Sequence, residues 1–126
     1  MVLDASALLA LLNRETGAER VADSFHVSSI STVNWAEVAQ KVVDRGVARG
    51  PSDVREDLVA MGLQVRDFTA AHAEIAAGIW PSTRAFGLSL ADRACLALAL
   101  ENRAPVLTAD RSWATLGLDI DIQVIR

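Results

Sequence analysis

Four acidic residues, Asp4, Glu37, Asp92 and Asp110, stand where an α/β sheet would present ligands. Asp4 ends the short apolar run Val2–Asp4, and Asp110 follows the apolar run Pro105–Thr108 almost at once. In open parallel sheets the carboxyl ends of the strands line the ligand crevice. Glu37 and Asp92 fall in or near the first turns of two helical patterns that can begin at that same edge. Four carboxylates meeting there would repel one another, and hold protons more tightly, unless a divalent cation sat between them. Such a cluster suits activation of water and stabilisation of a phosphoryl group by one or two metals.

Each acid also has an ordinary explanation. Asp92 is spaced from Ser89 as a capping box, and an acid in a first turn complements the helix dipole. Glu37 reads equally as a helix-face acid, and Asp110 as a turn former before Arg111-Ser112. Asp4 is harder to dismiss, because a carboxylate ending a buried strand needs a reason. Spacing alone leaves both readings open. If a metal is held, its ligands are restricted: Cys95 is the single cysteine, and His26 and His72 are the only histidines. Multi-Cys and His-rich sites are excluded, so the donors are carboxylates and the ion a hard one, Mg²⁺ or Mn²⁺.

The elements that must position these acids are legible from punctuation and periodicity. Val2–Asp4 reads as a strand that enters a helix over Ala5–Asn13, and a second short helix covers Ala18–Phe25 after Thr16-Gly17. His26–Ser29 reads as a strand, and Ser31 or Thr32 starts an amphipathic helix to about Arg45, stopped by Gly46. Pro51–Ser52 opens a helix over Asp53–Met61, Leu63–Arg66 is a strand, and Thr69 caps a helix through about Ile79. Trp80-Pro81 breaks that pattern. Ser89–Asn102 is the clearest helix; Pro105–Thr108 and Ile120–Ile125 are the remaining strands. Short strands alternating with helices predict an α/β fold: a three-layer sandwich around a short-stranded, mainly parallel central sheet. With no repeat or linker, residues 1–126 read as one domain.

Composition narrows the classes further. At 52% hydrophobic and 22% charged, the chain is globular and not disordered. A net charge of −4 argues against a general polyanion binder. The apolar stretches Ala7–Leu12 and Ala94–Leu100 are too short to span a bilayer. Met1-Val2-Leu3-Asp4 shows no basic region and no cleavage site, so a signal peptide is not expected and a cytoplasmic location is. Trp35, Trp80 and Trp113 read as core or interface rings, and Cys95 as a buried filler.

The acids also lie within recognisable motifs. Asp4-Ala5-Ser6-Ala7-Leu8-Leu9 resembles the first motif of the PIN-domain nucleases, and Ser31-Thr32-Val33-Asn34-Trp35-Ala36-Glu37-Val38 the second. Leu88-Ser89-Leu90-Ala91-Asp92-Arg93-Ala94-Cys95-Leu96-Ala97 is similar to the third, and Leu107-Thr108-Ala109-Asp110 to the fourth. They occur in the family's order across essentially the whole chain, and the third is especially like that of the VapC toxins. The resemblance implies a PIN-like fold and a small Mg²⁺- or Mn²⁺-dependent ribonuclease, the toxin of a toxin–antitoxin pair. It carries the family's metal ligands onto Asp4, Glu37, Asp92 and Asp110, and its motif hydroxyls onto Ser6 and Thr108, which would orient a carboxylate or a water. It further implies an RNA substrate, a cognate antitoxin and a homodimer. Some relatives carry another acid soon after the fourth motif. Here Trp113 stands three residues after Asp110 and the next acid is Asp119, which leaves the number of ions open.

Among the cations, Arg93 and Arg111 each adjoin a motif acid and are the first candidates to grip RNA phosphates. Two rival classes remain. One is another acidic-pocket phosphohydrolase; against a haloacid-dehalogenase-like site, no second aspartate stands two residues after Asp4. Against a response-regulator receiver, no lysine follows the late strand. The other is a catalytically silent PIN-like module that binds RNA or protein, for which retained clustered acids would have no use.

Overall fold

The computed structural model describes residues 1–46 and 48–126. Among these, five strands form one sheet: β1 (Val2–Leu3), β2 (Ser29–Ser31), β3 (Gln64–Arg66), β4 (Val106–Thr108) and β5 (Ile122–Val124). Their order is β3-β2-β1-β4-β5, and every pairing is parallel. The chain builds outward from β1 to β3, then returns to lay β4 on the other side of β1. The β1/β4 junction is therefore the point where strand order reverses, and loops leaving these two strands diverge there. In register, Leu3 lies beside Leu107, so the residues that follow each strand emerge side by side.

Among the described residues, seven α-helices connect the strands: α1 (Ala5–Leu12), α2 (Ala18–Ser24), α3 (Thr32–Asp44), α4 (Pro51–Ala60), α5 (Ala70–Gly78), α6 (Trp80–Thr83) and α7 (Leu90–Asn102). Successive residues of a strand point to opposite faces, and both faces here are covered. Leu3, Ile30 and Leu107 pack with Leu8 of α1, Val21 of α2 and Val38 of α3. Val2 and Val106 pack on the other side with Leu96 and Leu98 of α7 and with Trp113. The result is the expected three-layer α/β sandwich.

Local departures from the expected elements have physical causes. The second strand is Ser29–Ser31 and not His26–Ser29, because Phe25–Val27 forms a 3₁₀ turn that buries Phe25 before the chain enters the sheet. The strand's polar Ser-Ile-Ser composition hides it, yet Ile30 is fully buried and Ser31 accepts from Val33 N to cap α3. The last strand is shorter than expected, Ile122–Val124. Trp80-Pro81 does end α5, and Pro81 then sits in the first turn of α6, where its missing N–H costs nothing. Two contacts fasten α5 to α7: His72 Nε2 meets Glu101 Oε1 at 2.7 Å, and Arg93 Nη1 donates to Ala76 O at 3.0 Å. No helix among the described residues is long and apolar enough to cross a membrane.

One turn holds the end of the sheet against α2. Gly17 precedes α2 at φ +93°, and a Cβ there would lie 2.5 Å from Ile125 O. Gly17→Ala combines left-handed strain with a backbone clash and should destabilise the protein by about 2 kcal/mol or more. Urea unfolding checks this; an unchanged midpoint would show that the turn relaxes freely.

Candidate active site

Asp4 is the N-cap of α1, and its carboxylate turns back over the ends of β1 and β4. It is only 5% exposed. Oδ1 accepts from Ser6 Oγ at 2.7 Å and from Ala7 N at 2.8 Å, and Oδ2 accepts from Thr108 Oγ1 at 2.6 Å. The two hydroxyls also accept: Ser6 Oγ from Ala109 N at 2.9 Å, and Thr108 Oγ1 from Asp110 N at 3.0 Å. A single network thus joins the loop after β1 to the loop after β4. Burial raises the Asp4 pKa, the three hydrogen bonds oppose that rise, and the charge of Asp92 adds to it.

The other three acids share a pattern. Each commits one carboxylate oxygen to positioning and leaves the other free of hydrogen bonds among the described residues. Asp92 Oδ2 accepts from Ser89 N at 2.9 Å while Ser89 Oγ accepts from Asp92 N, so the capping box is present. Asp110 Oδ1 accepts from Ser112 N at 2.9 Å and Ser112 Oγ at 2.7 Å, which makes it the turn former as well. Glu37 Oε2 accepts from Asn34 Nδ2 at 3.3 Å. Capping and site membership are therefore not alternatives, because a carboxylate has an oxygen for each. Partial desolvation raises the Glu37 pKa, the Asn34 hydrogen bond lowers it, and the charges of Asp92 and Asp4 push it up further.

All four acids line one pocket of about 270 Å³ at the β1/β4 edge, together with Ser6 and Lys41. A larger cavity of about 470 Å³ lies beside Arg103, Pro105 and Asp121, and does not include these four acids. Of the arginines first in line for phosphate, Arg93 turns its Nη1 to the Ala76 carbonyl on α5, and the exposed Arg111 donates from Nε to Arg126 O at 3.0 Å. Trp35 and Trp113 are buried, whereas Trp80 is exposed with the Arg84 guanidinium 5.3 Å over its ring. Cys95 is buried, and desolvation pushes its thiol well up.

Sequence reasoning missed Asn34 and Lys41. Asn34 is 1% exposed, and its Nδ2 bridges Glu37 Oε2 and, at 2.9 Å, the carbonyl of Ala91. It ties the start of α3 to the start of α7, and so Glu37 to the neighbour of Asp92. The i,i+3 spacing of Asn34 and Glu37 was the available signal; the Ala91 contact had none.

The donor set is all oxygen, which suits a hard divalent cation. In the arrangement described, no three Asp, Glu, His or Cys side chains among the described residues stand so as to hold a metal ion. The requirement for Mg²⁺ is looser than a closed cage, since it commonly keeps several waters and takes one or two carboxylates plus substrate phosphate. In that mode one or two of Glu37, Asp92 and Asp110 would hold the ion, each through its free oxygen.

Fold and site define a PIN-type α/β domain. The family model for the PIN domain matches residues 1–117, and the chain belongs to that family. No curated protein matches the sequence. The fold is similar to a chain of the toxin–antitoxin complex from Klebsiella pneumoniae: TM-score 0.74, 16% identity, 99% of this chain and 97% of that one. It is also similar to a chain of DNA-bound VapBC from Salmonella typhimurium, with TM-score 0.70, 17% identity, and 99% and 97% covered. For FitAcB from Neisseria gonorrhoeae the TM-score is 0.68, the identity 20%, and the covered shares 98% and 96%.

Two outcomes follow from this geometry. Asn34→Ala removes the hydrogen bonds that bridge α3 to the Ala91 carbonyl and to Glu37 and should cost about 0.5–1.5 kcal/mol, measurable by urea unfolding; an unchanged stability would refute the bridge. Glu37 has a raised folded pKa, so the folded state binds its proton more tightly than the unfolded state does. Its contribution to stability therefore falls as pH rises from the ordinary glutamate value through its raised folded value. In chelator, Glu37→Gln should melt increasingly above wild type as pH rises through that window. A constant difference in Tm across pH would show that folding does not tighten the Glu37 proton.

Proposed function

We propose that this chain is a divalent-cation-dependent endoribonuclease that acts as the toxin of a type II toxin–antitoxin pair. The observation that carries the catalytic part is the convergence of Asp4, Glu37, Asp92 and Asp110 on one pocket at the β1/β4 switch point. A Mg²⁺ or Mn²⁺ ion bound there supplies a lowered pKa for a water nucleophile and a Lewis acid for the phosphoryl oxygens. The residues of the chain hold and orient. Ser6, Thr108 and the Ala7 N–H keep Asp4 fixed and favour its ionised form. Ser89, Asn34 and Ser112 each occupy one oxygen of Asp92, Glu37 and Asp110, so that the other is aimed without loss of rotamer freedom at the moment of binding.

The toxin role is supported by the likeness to a chain of the toxin–antitoxin complex from Klebsiella pneumoniae and to a chain of VapBC from Salmonella typhimurium. A cognate antitoxin and a second copy of the chain are the partners this role implies. Trp80, Phe86 and Leu90, all exposed, offer apolar surface for such contacts.

The test is cleavage of a structured RNA with Mn²⁺, Mg²⁺ or chelator. Chelator should stop the reaction, and Asp4→Asn or Asp92→Asn should nearly abolish it, because the amide keeps the shape and loses the charge. Thr108→Ala, which removes only an orienting hydroxyl, should cost roughly 10–100-fold. Folded Asp4→Asn/Asp92→Asn protein that cleaves at the wild-type rate would remove the assignment.

A further inference from the structure

The acid pocket opens into a neighbour of opposite charge. A second cavity of about 330 Å³ shares Ser6, Leu9 and Lys41 with it, and adds Arg45, Arg126 and Glu15. Glu15 is already matched: Arg126 Nη1 pairs with it at 2.9 Å, and that contact first, then Asn13, holds its carboxyl below the usual range. Lys41 and Arg45 form no ion pair among the described residues. With Arg126 and Glu15 paired, Lys41 and Arg45 leave this cavity positive, while four acids against Lys41 leave the first one negative.

The division runs along one helix. Glu37, Lys41 and Arg45 are spaced four apart on α3 and its C-cap, so they stack on one face over about 12 Å. Lys41, the chain's only lysine, stands where the two cavities meet. A polyanion approaching four carboxylates is repelled, even with one divalent ion in place, unless cations take up its flanking charge. We infer that the Lys41–Arg45 groove is a phosphate subsite that holds the RNA backbone on one side of the cleaved bond. This rests on the ribonuclease reading of the acid pocket. It also answers the chain's negative net charge, since attraction is supplied locally where the substrate must lie. Lys41 and Arg45 are positioning residues: they touch phosphates outside the reacting bond.

Cations near a helix C-terminus also complement the helix dipole, so the experiment must separate binding from stability. Labelled single-stranded RNA is titrated by fluorescence anisotropy, with Ca²⁺ in place of Mn²⁺, over a range of salt. Wild type, Lys41→Gln, Lys41→Gln/Arg45→Gln and Arg55→Gln are compared, with melting temperatures and with KM and kcat for cleavage in Mn²⁺. Arg55 lies on α4 beside a different cavity and controls for bulk charge. The double variant should bind about tenfold more weakly, with a salt slope lower by about 0.7 for each lost phosphate contact. Its KM should rise in step, kcat should stay near wild type, and Arg55→Gln should bind as wild type does. RNA binding that depends on Lys41 and Arg45 in a protein without nuclease activity would keep the groove and remove the nuclease reading. Wild-type affinity and slope in the double variant would overturn the groove, as would an equal loss in Arg55→Gln or no RNA binding by wild type.

Discussion

The buried Asp4 carboxylate is the constraint on which the site depends. An ionised group at 5% exposure would be unaffordable in an apolar interior without hydrogen bonds to its charged form. Ser6, Ala7 and Thr108 supply three, and two of those donors come from the first turn of α1 while the third closes β4. The same hydroxyls then accept from Ala109 N and Asp110 N. Solvating one charge therefore determines where the loop after β4 runs and where Asp110 begins. Both strands are only two or three residues long, so their own ladder could not impose that geometry.

Around this anchor, positioning and chemistry are shared within single side chains. Asp92, third in a capping box, and Asp110, an N-cap, stand there for ordinary reasons, each satisfying an otherwise unpaired N–H. A carboxylate that caps through one oxygen is held in a known orientation and keeps its second oxygen available. Helix starts therefore act as precise mounts, and parallel α/β topology gathers such starts at one edge of the sheet. The cost is electrostatic. Asp4 and Glu37 hold protons more tightly than free carboxylic acids, mainly through burial and only secondarily through their neighbours' charges. The repulsion expected from four clustered acids is thus present for these two groups but is the smaller influence.

Much of this was legible in the linear sequence, and for a local reason in each case. Capping residues, glycine stops and runs such as Val106–Thr108 act over three or four neighbours, so they identify helices and most strands directly. The second strand begins three residues later and ends two later than its expected place because Ser29-Ile30-Ser31 carries little apolar signal, and only burial between flanking layers makes it a strand. Arg93 shows the converse: adjacency to Asp92 suggested phosphate, but consecutive helical residues face different ways, and its guanidinium reaches α5 instead.

The sequence by itself determined the α/β class, the four motif acids and the oxygen-only character of any metal site. Those follow from residue type and short-range spacing, which need no knowledge of contacts. Tertiary structure alone decided the order β3-β2-β1-β4-β5, which sets the ends of β1 and β4 side by side. It alone decided that Thr108 reaches Asp4 across 104 residues, that Asn34 reaches Ala91, and that Lys41 borders two cavities of opposite charge. Such contacts join segments far apart in the chain. Their geometry depends on how every intervening layer packs, and no local pattern encodes it.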